Sequence, residues 1–309
     1  MIWKKKGLIY CPTGKSGWDK NYAIYPTPRF IRGSNILRVY FGVLDVNNFG
    51  RTEFIDLDPS DPSVIIDLSN KVSLDLGSLG QFDDSGAIPS CYVEIHGKKY
   101  LYYNGFCRSV RTPYHIFSGL AEIDSDESIN RTSTCPVLDR TSEEYIDRAG
   151  QVVLNDNGIL KCWYVSASKW EDMDSVLFKR QMPVYRIKYA TSKNGYDWIV
   201  NDKYCIDFEN EDEFGFGRPW VIKSGDMYRM WYSIRRRSVP YRIGYAESLD
   251  GIEWERKDRE VGIDVSEAGW DSEMVCFPSV IKVKDKTFMF YNGNNNGKTG
   301  FGVAELIEW

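Results

Sequence analysis

The chain has 309 residues, of which 42% are hydrophobic and 27% are charged, a composition typical of a folded globular protein. Its formal net charge is −5 and no basic run exceeds three residues, which argues against a nucleic-acid partner. No apolar run reaches the roughly 18 residues of a membrane span, and no apolar segment follows the lysines near the start, so neither a membrane span nor a signal peptide is expected. Seven cysteines without CxxC spacing argue against a disulfide framework and favour a cytoplasmic location.

A pattern of strands and turns recurs five times along the chain. Its clearest marker is an aromatic pair that closes a predicted strand, and the second members of the pairs are 62, 61, 68 and 59 residues apart. Before each pair lies a tight turn with Gly, Asn or Asp, residues that supply the positive-φ positions of hairpins. A third strand follows, and its best copies, RIKYATS and RIGYAES, lead into the turns SKNGYDW and SLDGIEW and then a fourth strand. The pairs are Tyr40 and Phe41, Tyr102 and Tyr103, Trp163 and Tyr164, Trp231 and Tyr232, and Phe290 and Tyr291.

One repeat is therefore a four-stranded antiparallel meander of roughly 60 residues, which is typical of a propeller blade. The predicted fold is an all-β, five-bladed β-propeller that forms a single domain over residues 1–309. No stretch has a useful helical periodicity, which excludes an α/β fold. The last repeat ends without a fourth strand, and the N-terminal WKKKGLIYC resembles one, so residues 2–10 are predicted to complete the last blade.

The connections between second and third strands are long, at 42–51, 104–116, 165–185, 233–241 and 292–298. Long loops on a rigid scaffold usually carry function, so the face that bears them, around a central channel, is the predicted working face. The segments that lead into the first strands bring acidic residues to the mouth of this channel. The candidate carboxylates are Asp19, Asp83 or Asp84, Glu143, Glu144, Asp147, Asp212, Glu213, Asp271 and Glu273.

Like charges crowded into a poorly solvated mouth repel one another, so some of these acids are expected to be protonated or paired. A carboxyl group with a raised pKa beside an ionised carboxylate is what glycosidic bond cleavage requires. Cationic and amide side chains near the same segments are candidates for binding anionic groups or hydroxyls of a substrate. The candidate substrate-binding residues are Arg29, Asn104, His115, Arg148, Arg186, Glu213, Arg218 and Asn292.

Structural interpretations stand beside these functional ones. The repeated acids could cap strands or tie blades together, and the aromatic pairs are interpreted as core between blades. The run Arg235–Arg237 is interpreted as a solvated loop, and the SKNGYDW and SLDGIEW turns as a fold signature on the other face. With only two histidines, a His-rich metal site is excluded and no cofactor is expected, while an oxygen-ligated ion in the central channel stays open.

The fivefold repeat, the segments WDKNYAIYP, FDDSGAIP and WDSEMVCFP, and the turns SKNGYDW and SLDGIEW resemble the five-bladed β-propeller glycosidases. This is the arabinanase, invertase and levansucrase group, which includes glycoside hydrolase families 32, 43 and 130, and the resemblance covers the whole chain. It implies acids on the first strands of the first three blades. The chain departs from the family in lacking a clear Asp-Pro in blade one, an Arg-Asp-Pro in blade two and a Glu-Cys in blade three. The predicted catalytic set is Asp19, Asp84, Glu144, Asp147 and Glu273.

The predicted function is that of a carbohydrate-active enzyme, glycoside hydrolase-like, that cleaves or transfers a glycosyl group of a carbohydrate or glycoconjugate with channel carboxylates. Three alternatives remain open: a non-catalytic glycan-binding propeller, a phosphorylase or transferase that acts on an intracellular glycan intermediate, and a sialidase-like enzyme. The last is considered because SLDGIEW is one residue short of an Asp-box. The sequence makes no prediction of the oligomeric state.

Overall fold

A computed structural model describes residues 1–14, 16–69, 71–174 and 179–309. Within these ranges the chain forms twenty strands, a single 3-10 turn at Asp258–Glu260 and the four-residue helix α1 (Asn294–Gly297). The prediction of an almost entirely β protein is confirmed. Among the described residues, no helix has the length and apolar character needed to cross a membrane.

The strands form five antiparallel units of four strands each. Two isolated parallel pairings, Gly50 with Gly86 and Phe117 with Arg148, join the first three units into one continuous sheet. The first unit contains β2 (Asn21–Ile31), β3 (Ile36–Leu44), β4 (Gly50–Leu57) and β5 (Ile65–Leu68), and the second contains β6 (Gly86–Ile95), β7 (Lys98–Arg108), β8 (Tyr114–Ile123) and β9 (Ile129–Arg131). The third contains β10 (Arg148–Asp156), β11 (Ile159–Asp174), β12 (Lys179–Ser192) and β13 (Ile199–Tyr204), and the fourth contains β14 (Glu213–Ser224), β15 (Met227–Arg236), β16 (Arg242–Ser248) and β17 (Glu255–Arg256). The fifth contains β18 (Cys276–Val283), β19 (Lys286–Asn292), β20 (Phe301–Glu308) and the N-terminal β1 (Ile2–Tyr10).

The N-terminal strand β1 is the outer strand of the fifth unit, because it pairs antiparallel with β20. Trp3 on this strand is buried, and its ring packs edge-on against Trp231 of the fourth unit at a centroid distance of 6.1 Å. The first strand segment of the chain therefore joins the last unit and also contacts the unit before it.

The inner strands of the five units contact one another in a closed cycle, in the order β2, β6, β10, β14, β18 and back to β2. Each inner strand is interrupted near its middle by a β-bulge, a feature that re-aims side chains and bends the strand. At four of the five bulges one residue has a positive φ, and in three of those a proline follows, which keeps the preceding residue out of the right-handed helical region. The four residues are Tyr25, Gly150, Arg218 and Phe277, with φ of 56°, 63°, 38° and 51°.

The aromatic pairs lock neighbouring units together. The Tyr102 hydroxyl of the second unit donates to the carbonyl of Gly195 at 2.8 Å, and the Trp163 indole of the third unit donates to the carbonyl of Gly251 at 2.7 Å. Both glycines belong to the SKNGYDW and SLDGIEW turns, so each turn is a docking point for an aromatic side chain of the preceding unit. These turns thus serve in packing between units, as their repetition indicated.

Several of the expected connections and strands differ in extent from the sequence prediction. The stretch 165–185 was expected to be a long loop, but it extends β11 and β12 into a hairpin whose positions 175–178 lie outside the described residues. This arm carries charged residues, such as Lys169 and Glu171, that pair with each other on its surface and give it the composition of a loop. The fourth strand expected over 254–264 is limited to β17 and is followed by the 3-10 turn.

The burial of Trp3 gives a test of the role of β1. We expect Trp3→Ala to lower the free energy of unfolding by about 3–5 kcal/mol, the usual cost of removing a buried tryptophan side chain. Ile2→Ala on the same strand is the control, because the Ile2 side chain is more than half exposed, and it should change stability by less than about 0.5 kcal/mol. Urea denaturation measures both values, and equal stabilities of the two variants would contradict the packing described for β1.

Candidate functional site

A cavity of about 240 Å³ lies where the bulges of the inner strands meet; we call it the axial cavity. Beside it lies a second pocket of about 370 Å³, between the first and second units, which we call the side pocket and which shares part of its wall with the axial cavity. Both are lined mainly by aromatic and aliphatic side chains, as small-molecule sites usually are. The residues that line both are Ile24, Leu44, Phe106 and Tyr114.

The side pocket opens on the face expected from the sequence to be the working face. Its walls include Leu44 at the end of β3 and Asn48 in the connection to β4, and Arg108 at the end of β7 and Pro113 in the connection to β8. These are connections between second and third strands. The long loops and the two pockets therefore lie on the same face.

The axial cavity is aromatic and cationic. Tyr25 and Phe277 stack with ring centroids 4.5 Å apart, and Tyr241 meets Phe277 edge-on. Of the described residues that line the cavity, three are arginines and none is a carboxylate. The three arginines are Arg180, Arg218 and Arg235.

Arg218, one of the predicted substrate-binding residues, is a wall residue of this cavity whose guanidinium group is engaged by the backbone. It donates to the carbonyl oxygens of Phe277 at 3.1 Å, Pro26 at 2.9 Å and Ser90 at 3.3 Å. Desolvation by complete burial lowers the pKa of Arg218 to about 9, because no ionised acid compensates its charge. Its charge is therefore present at the cavity without a carboxylate partner.

Asp147, a predicted catalytic residue, reaches the cavity through a tyrosine. Its Oδ2 accepts a hydrogen bond at 3.1 Å from the hydroxyl of Tyr185, which lines the cavity. Its Oδ1 lies 3.1 Å from Nδ1 of His115 and also accepts from the backbone N–H of Ile116. Because Tyr114 and Ile116 line the cavity and side chains alternate along a strand, His115 points to the opposite side of β8. Asp147 thus orients both Tyr185 and His115.

Asp84 lies at the edge of the side pocket. It accepts hydrogen bonds from the Ser85 hydroxyl at 2.8 Å and from the backbone N–H of Gly80 at 3.0 Å, and Ser85 lines the side pocket. Burial raises the pKa of the Cys107 thiol, and the negative charges of Asp84 and Asp147 raise it further against the positive charge of Arg140. Asp84 is therefore linked to the side pocket by Ser85, and Asp147 is linked to the axial cavity by Tyr185.

Most of the other repeated acids are held inside their own units. In three units, a carboxylate accepts a hydrogen bond from the hydroxyl of the second residue of the aromatic pair, at 3.0 Å in each case, and is ion-paired with a basic side chain. Glu144, a predicted catalytic residue, is bound in this way by Tyr164, Lys188 and Arg148. The corresponding sets are Asp83 with Tyr103 and Arg131, and Asp271 with Tyr291 and Lys5.

Three further predicted acids lie apart from the pockets. Asp19 is buried and accepts a hydrogen bond from the Tyr10 hydroxyl at 2.9 Å, and Glu273 is exposed. Glu213 is buried and ion-paired with Arg256 and Arg236.

The two predicted hydroxyl-binding amides are fully buried and join neighbouring units. The Asn104 side-chain oxygen accepts from the bulge N–H of Gly150 at 2.7 Å, and that of Asn292 accepts from the bulge N–H of Tyr25 at 3.0 Å. Ser233 occupies the same place after its aromatic pair and accepts from Phe277 N–H at 2.8 Å. These side chains hold the bulges rather than line the pockets.

The remaining predicted arginines are also engaged elsewhere. Arg29 forms a two-point ion pair with Glu127, and Arg148 is paired with Glu144. Arg186 stacks on Tyr204 and Phe208 and pairs with Asp207.

Among the described residues, one acidic group is close enough to hold a cation: Glu209, Glu213 and Asp258, whose oxygens lie within 4.8 Å of one another. Arg256 already donates to both oxygens of Glu213 and is also paired with Asp258, so its guanidinium supplies the positive charge there. This group does not line the axial cavity.

Several residues of the site are not apparent from the sequence pattern. Arg235 was interpreted as part of a solvated loop, but it lies on β15, is buried and lines the cavity. Side chains alternate between the two faces of a strand, so Arg235 is expected on the same face of β15 as Ser233. Arg180, Tyr185 and Tyr241 were missed because 165–185 and 233–241 were interpreted as loops.

Glu53 was also missed. Burial and, to a smaller extent, the nearby Asp19 carboxylate raise its pKa to about 7, against the opposing effect of a hydrogen bond from the Trp18 indole. Glu53 lies on β4, inside the first unit.

The fold is that of glycoside hydrolases. A solved structure described as a glycoside hydrolase matches 98% of this chain and 90% of its own length, with a TM-score of 0.72 and 18% identity. A thermostable family-43 glycoside hydrolase matches 94% of this chain and 90% of its own, with a TM-score of 0.66 and 16% identity. An endo-arabinase from Bacteroides thetaiotaomicron matches 98% of this chain and 99% of its own, with a TM-score of 0.64 and 13% identity. The resemblance stated from the sequence is confirmed at the level of the fold.

The chain belongs to the same family as the uncharacterized protein Rv1502 of Mycobacterium tuberculosis (strain ATCC 25618 / H37Rv). The two are 33% identical over 307 residues, which is 99% of each chain. Half of this chain is also similar to a 1,2-beta-oligomannan phosphorylase from Thermoanaerobacter sp. (strain X514), with 30% identity over 162 residues, or 51% of that protein. No protein-family model matches the chain.

The raised pKa of Glu53 predicts a specific dependence of stability on pH. The folded chain retains this proton up to about pH 7, whereas the unfolded chain loses it near the ordinary value of 4.5, so ionisation of Glu53 destabilises the fold as pH rises between these values. We expect the stability of Glu53→Gln, relative to the natural chain, to increase from pH 4.5 to pH 7 and then level off. Chemical denaturation at a series of pH values measures this difference. The exposed Glu211→Gln is the control, and a flat difference for both variants would contradict the prediction.

Proposed function

We propose that this protein is a carbohydrate-active enzyme of glycoside hydrolase-like type, which cleaves or transfers a glycosyl group of a sugar bound in the axial cavity and the side pocket. We propose with it that the five units are the blades of a single closed propeller over residues 1–309. The closed cycle of contacts among the inner strands supports this arrangement. The observation that carries the functional proposal is that an acid is hydrogen-bonded to a wall residue of each pocket: Asp84 to Ser85 of the side pocket, and Asp147 to Tyr185 of the axial cavity.

The proposed roles follow from the burial of each group. Asp84 is partly exposed beside the side pocket and is the proposed acid–base residue, which protonates the leaving glycosidic oxygen or activates the attacking group. Asp147 is fully buried and accepts from Tyr185, so it is a positioning residue that fixes the direction of the tyrosine hydroxyl. Burial raises the pKa of Tyr185 well above its ordinary value, which keeps this hydroxyl a hydrogen-bond donor.

Transfer to phosphate is the second candidate reaction, and the three arginines around the cavity favour it. In that reaction a phosphate oxygen bonds to the anomeric carbon while the glycosidic C–O bond breaks, and the leaving oxygen takes a proton from the acid. The half-length similarity to a 1,2-beta-oligomannan phosphorylase also supports it.

The proposed substrate is a carbohydrate or glycoconjugate of the cytoplasm. The seven cysteines are all free thiols, which is the usual state in a reducing compartment and supports the proposed location. Cys91, Cys162, Cys205 and Cys276 are buried, so they act as small apolar residues of the core.

The proposed enzyme is tested with Asp84→Asn and Asp147→Asn. Both are expected to lower turnover by at least about 100-fold, because one removes the proton-transfer group and the other releases Tyr185. Turnover is measured on 4-nitrophenyl glycosides and on oligosaccharides, including β-1,2-linked mannose oligomers, with and without inorganic phosphate.

The exposed Asp226→Asn is the matched control and should retain full activity, because it lies in the turn between β14 and β15. Full activity of both Asp84→Asn and Asp147→Asn would overturn the assignment. Binding of a glycan to the natural chain without any product over days would instead support the glycan-binding alternative.

A further inference from the structure

The end of β19 and the connection that follows it contain four asparagines, in the run NGNNNG over 292–297. Two of them hold the connection in place. The side-chain nitrogen of Asn292 donates to the carbonyl of Ala23 at 2.6 Å. The side-chain oxygen of Asn294 accepts from the backbone N–H of Glu273 at 2.8 Å. Both side chains are buried and engaged by the backbone, so their role is to fix the two ends of this turn.

The other two asparagines of the run have a left-handed backbone conformation. Asn295 has φ of 53° and ψ of 46°, and Asn296 has φ of 58° and ψ of 34°. Asparagine enters this region more easily than most residues, but as an isolated residue, and the conformation costs free energy relative to glycine. Two such residues in succession persist only where the surrounding contacts hold them, and strain of this kind is found mainly at functional sites.

The two strained residues differ in where their side chains lie. Asn295 is exposed and does not line the axial cavity. Asn296 lines the cavity and provides the one side-chain amide among its described lining residues. The Oδ1 atom of Asn296 is buried, and within the described part of the chain it has no hydrogen-bond partner. The strained turn therefore presents a buried acceptor to the axial cavity.

A buried acceptor without a partner restricts what can bind beside it. Its burial costs free energy, which a ligand recovers by donating a hydrogen bond to it. A hydroxyl group can donate, whereas an ionised oxygen has no proton to give. The rest of the wall is largely aromatic, as in the stacked pair Tyr25 and Phe277. In ligand sites of this composition, the few polar groups fix the orientation of the ligand and provide specificity.

We propose that Asn296 is a specificity-determining residue of the axial cavity, whose Oδ1 accepts a hydrogen bond from one hydroxyl group of the bound glycosyl unit. This inference deepens the proposed function, on which it rests for the sugar. The strained turn is then part of the site, because it gives up stability in order to direct the amide into the cavity. Asn292 and Asn294 hold the turn, and Asn296 meets the ligand.

The variant Asn296→Gly separates this role from a structural one. Glycine adopts a positive φ without strain and lacks the amide, so the melting temperature should equal or exceed that of the natural chain. Binding of the sugar should weaken by at least about 10-fold, the effect of losing one good hydrogen bond. Asn295→Gly is the matched control, because it makes the same backbone change one residue earlier at an exposed side chain. It should also melt no lower than the natural chain, and it should bind sugars as the natural chain does.

Circular dichroism measures melting, and isothermal titration calorimetry of the full chain measures binding. The probes are the methyl α- and β-glycosides of glucose, mannose and galactose, followed by the monodeoxy analogues of the glycoside that binds most tightly. We expect one deoxy analogue to bind the natural chain about 10-fold more weakly than its parent glycoside. The same analogue and its parent should bind Asn296→Gly equally. This non-additivity identifies the hydroxyl group that Asn296 contacts.

Four results would overturn the role of Asn296. These are equal sugar binding by Asn296→Gly and the natural chain, deoxy effects of the same size in both, no glycoside that binds below about 10 mM, and a melting temperature of Asn296→Gly clearly below that of Asn295→Gly. Failure of the proposed function is distinguishable from these outcomes. Binding that depends on Asn296, without turnover of any glycoside, removes only the enzyme. Turnover with the same kcat/KM in the natural chain and Asn296→Gly removes only the role of Asn296.

Discussion

The carbonyl oxygens of Pro26, Ser90 and Phe277 converge on one guanidinium group, that of Arg218. Each carbonyl lies in the bulge of a different inner strand, where the regular ladder of backbone hydrogen bonds is interrupted. A buried carbonyl without a partner is costly, so a donor with several N–H groups at the centre satisfies three units at once. This constraint ties the inner strands to one another and places the guanidinium group of Arg218 at the wall of the axial cavity.

The acids that recur along the sequence are used to hold the units together internally. Asp83, Glu144 and Asp271 each accept from a tyrosine hydroxyl and pair with a cation, so their charges are neutralised within the blade-like units. The cavity wall is consequently left aromatic and positively charged. A fold shared with glycoside hydrolases is therefore combined here with a central site whose electrostatics favour an anionic ligand, a property of the site rather than of the fold.

The repeat was visible in the sequence because packing between units demands the same residue types at the same places. The pair Trp163 and Tyr164 shows why: the indole docks on the next unit's turn while the hydroxyl binds Glu144 of its own unit. The pairing of Asp147 with His115 was not visible, since it joins residues 32 positions apart, one on β8 and the other just before β10. Arg235 could not be singled out from the sequence either, because it belongs to a run of three arginines. In the structure it differs from Arg236 and Arg237 in being buried.

The amino-acid sequence by itself determined the all-β architecture, the period of the repeat and the face that carries the long connections, because these depend on alternation, turn residues and spacing along the chain. Only the tertiary structure decided which acids and arginines meet the ligand. A one-residue change in where a strand bulges turns a side chain from one side of the sheet to the other, as at Arg218. Arg218 and Arg235 keep the centre positively charged because the described ion pairs do not include them. Which arginines are left outside the ion pairs depends on contacts between distant units.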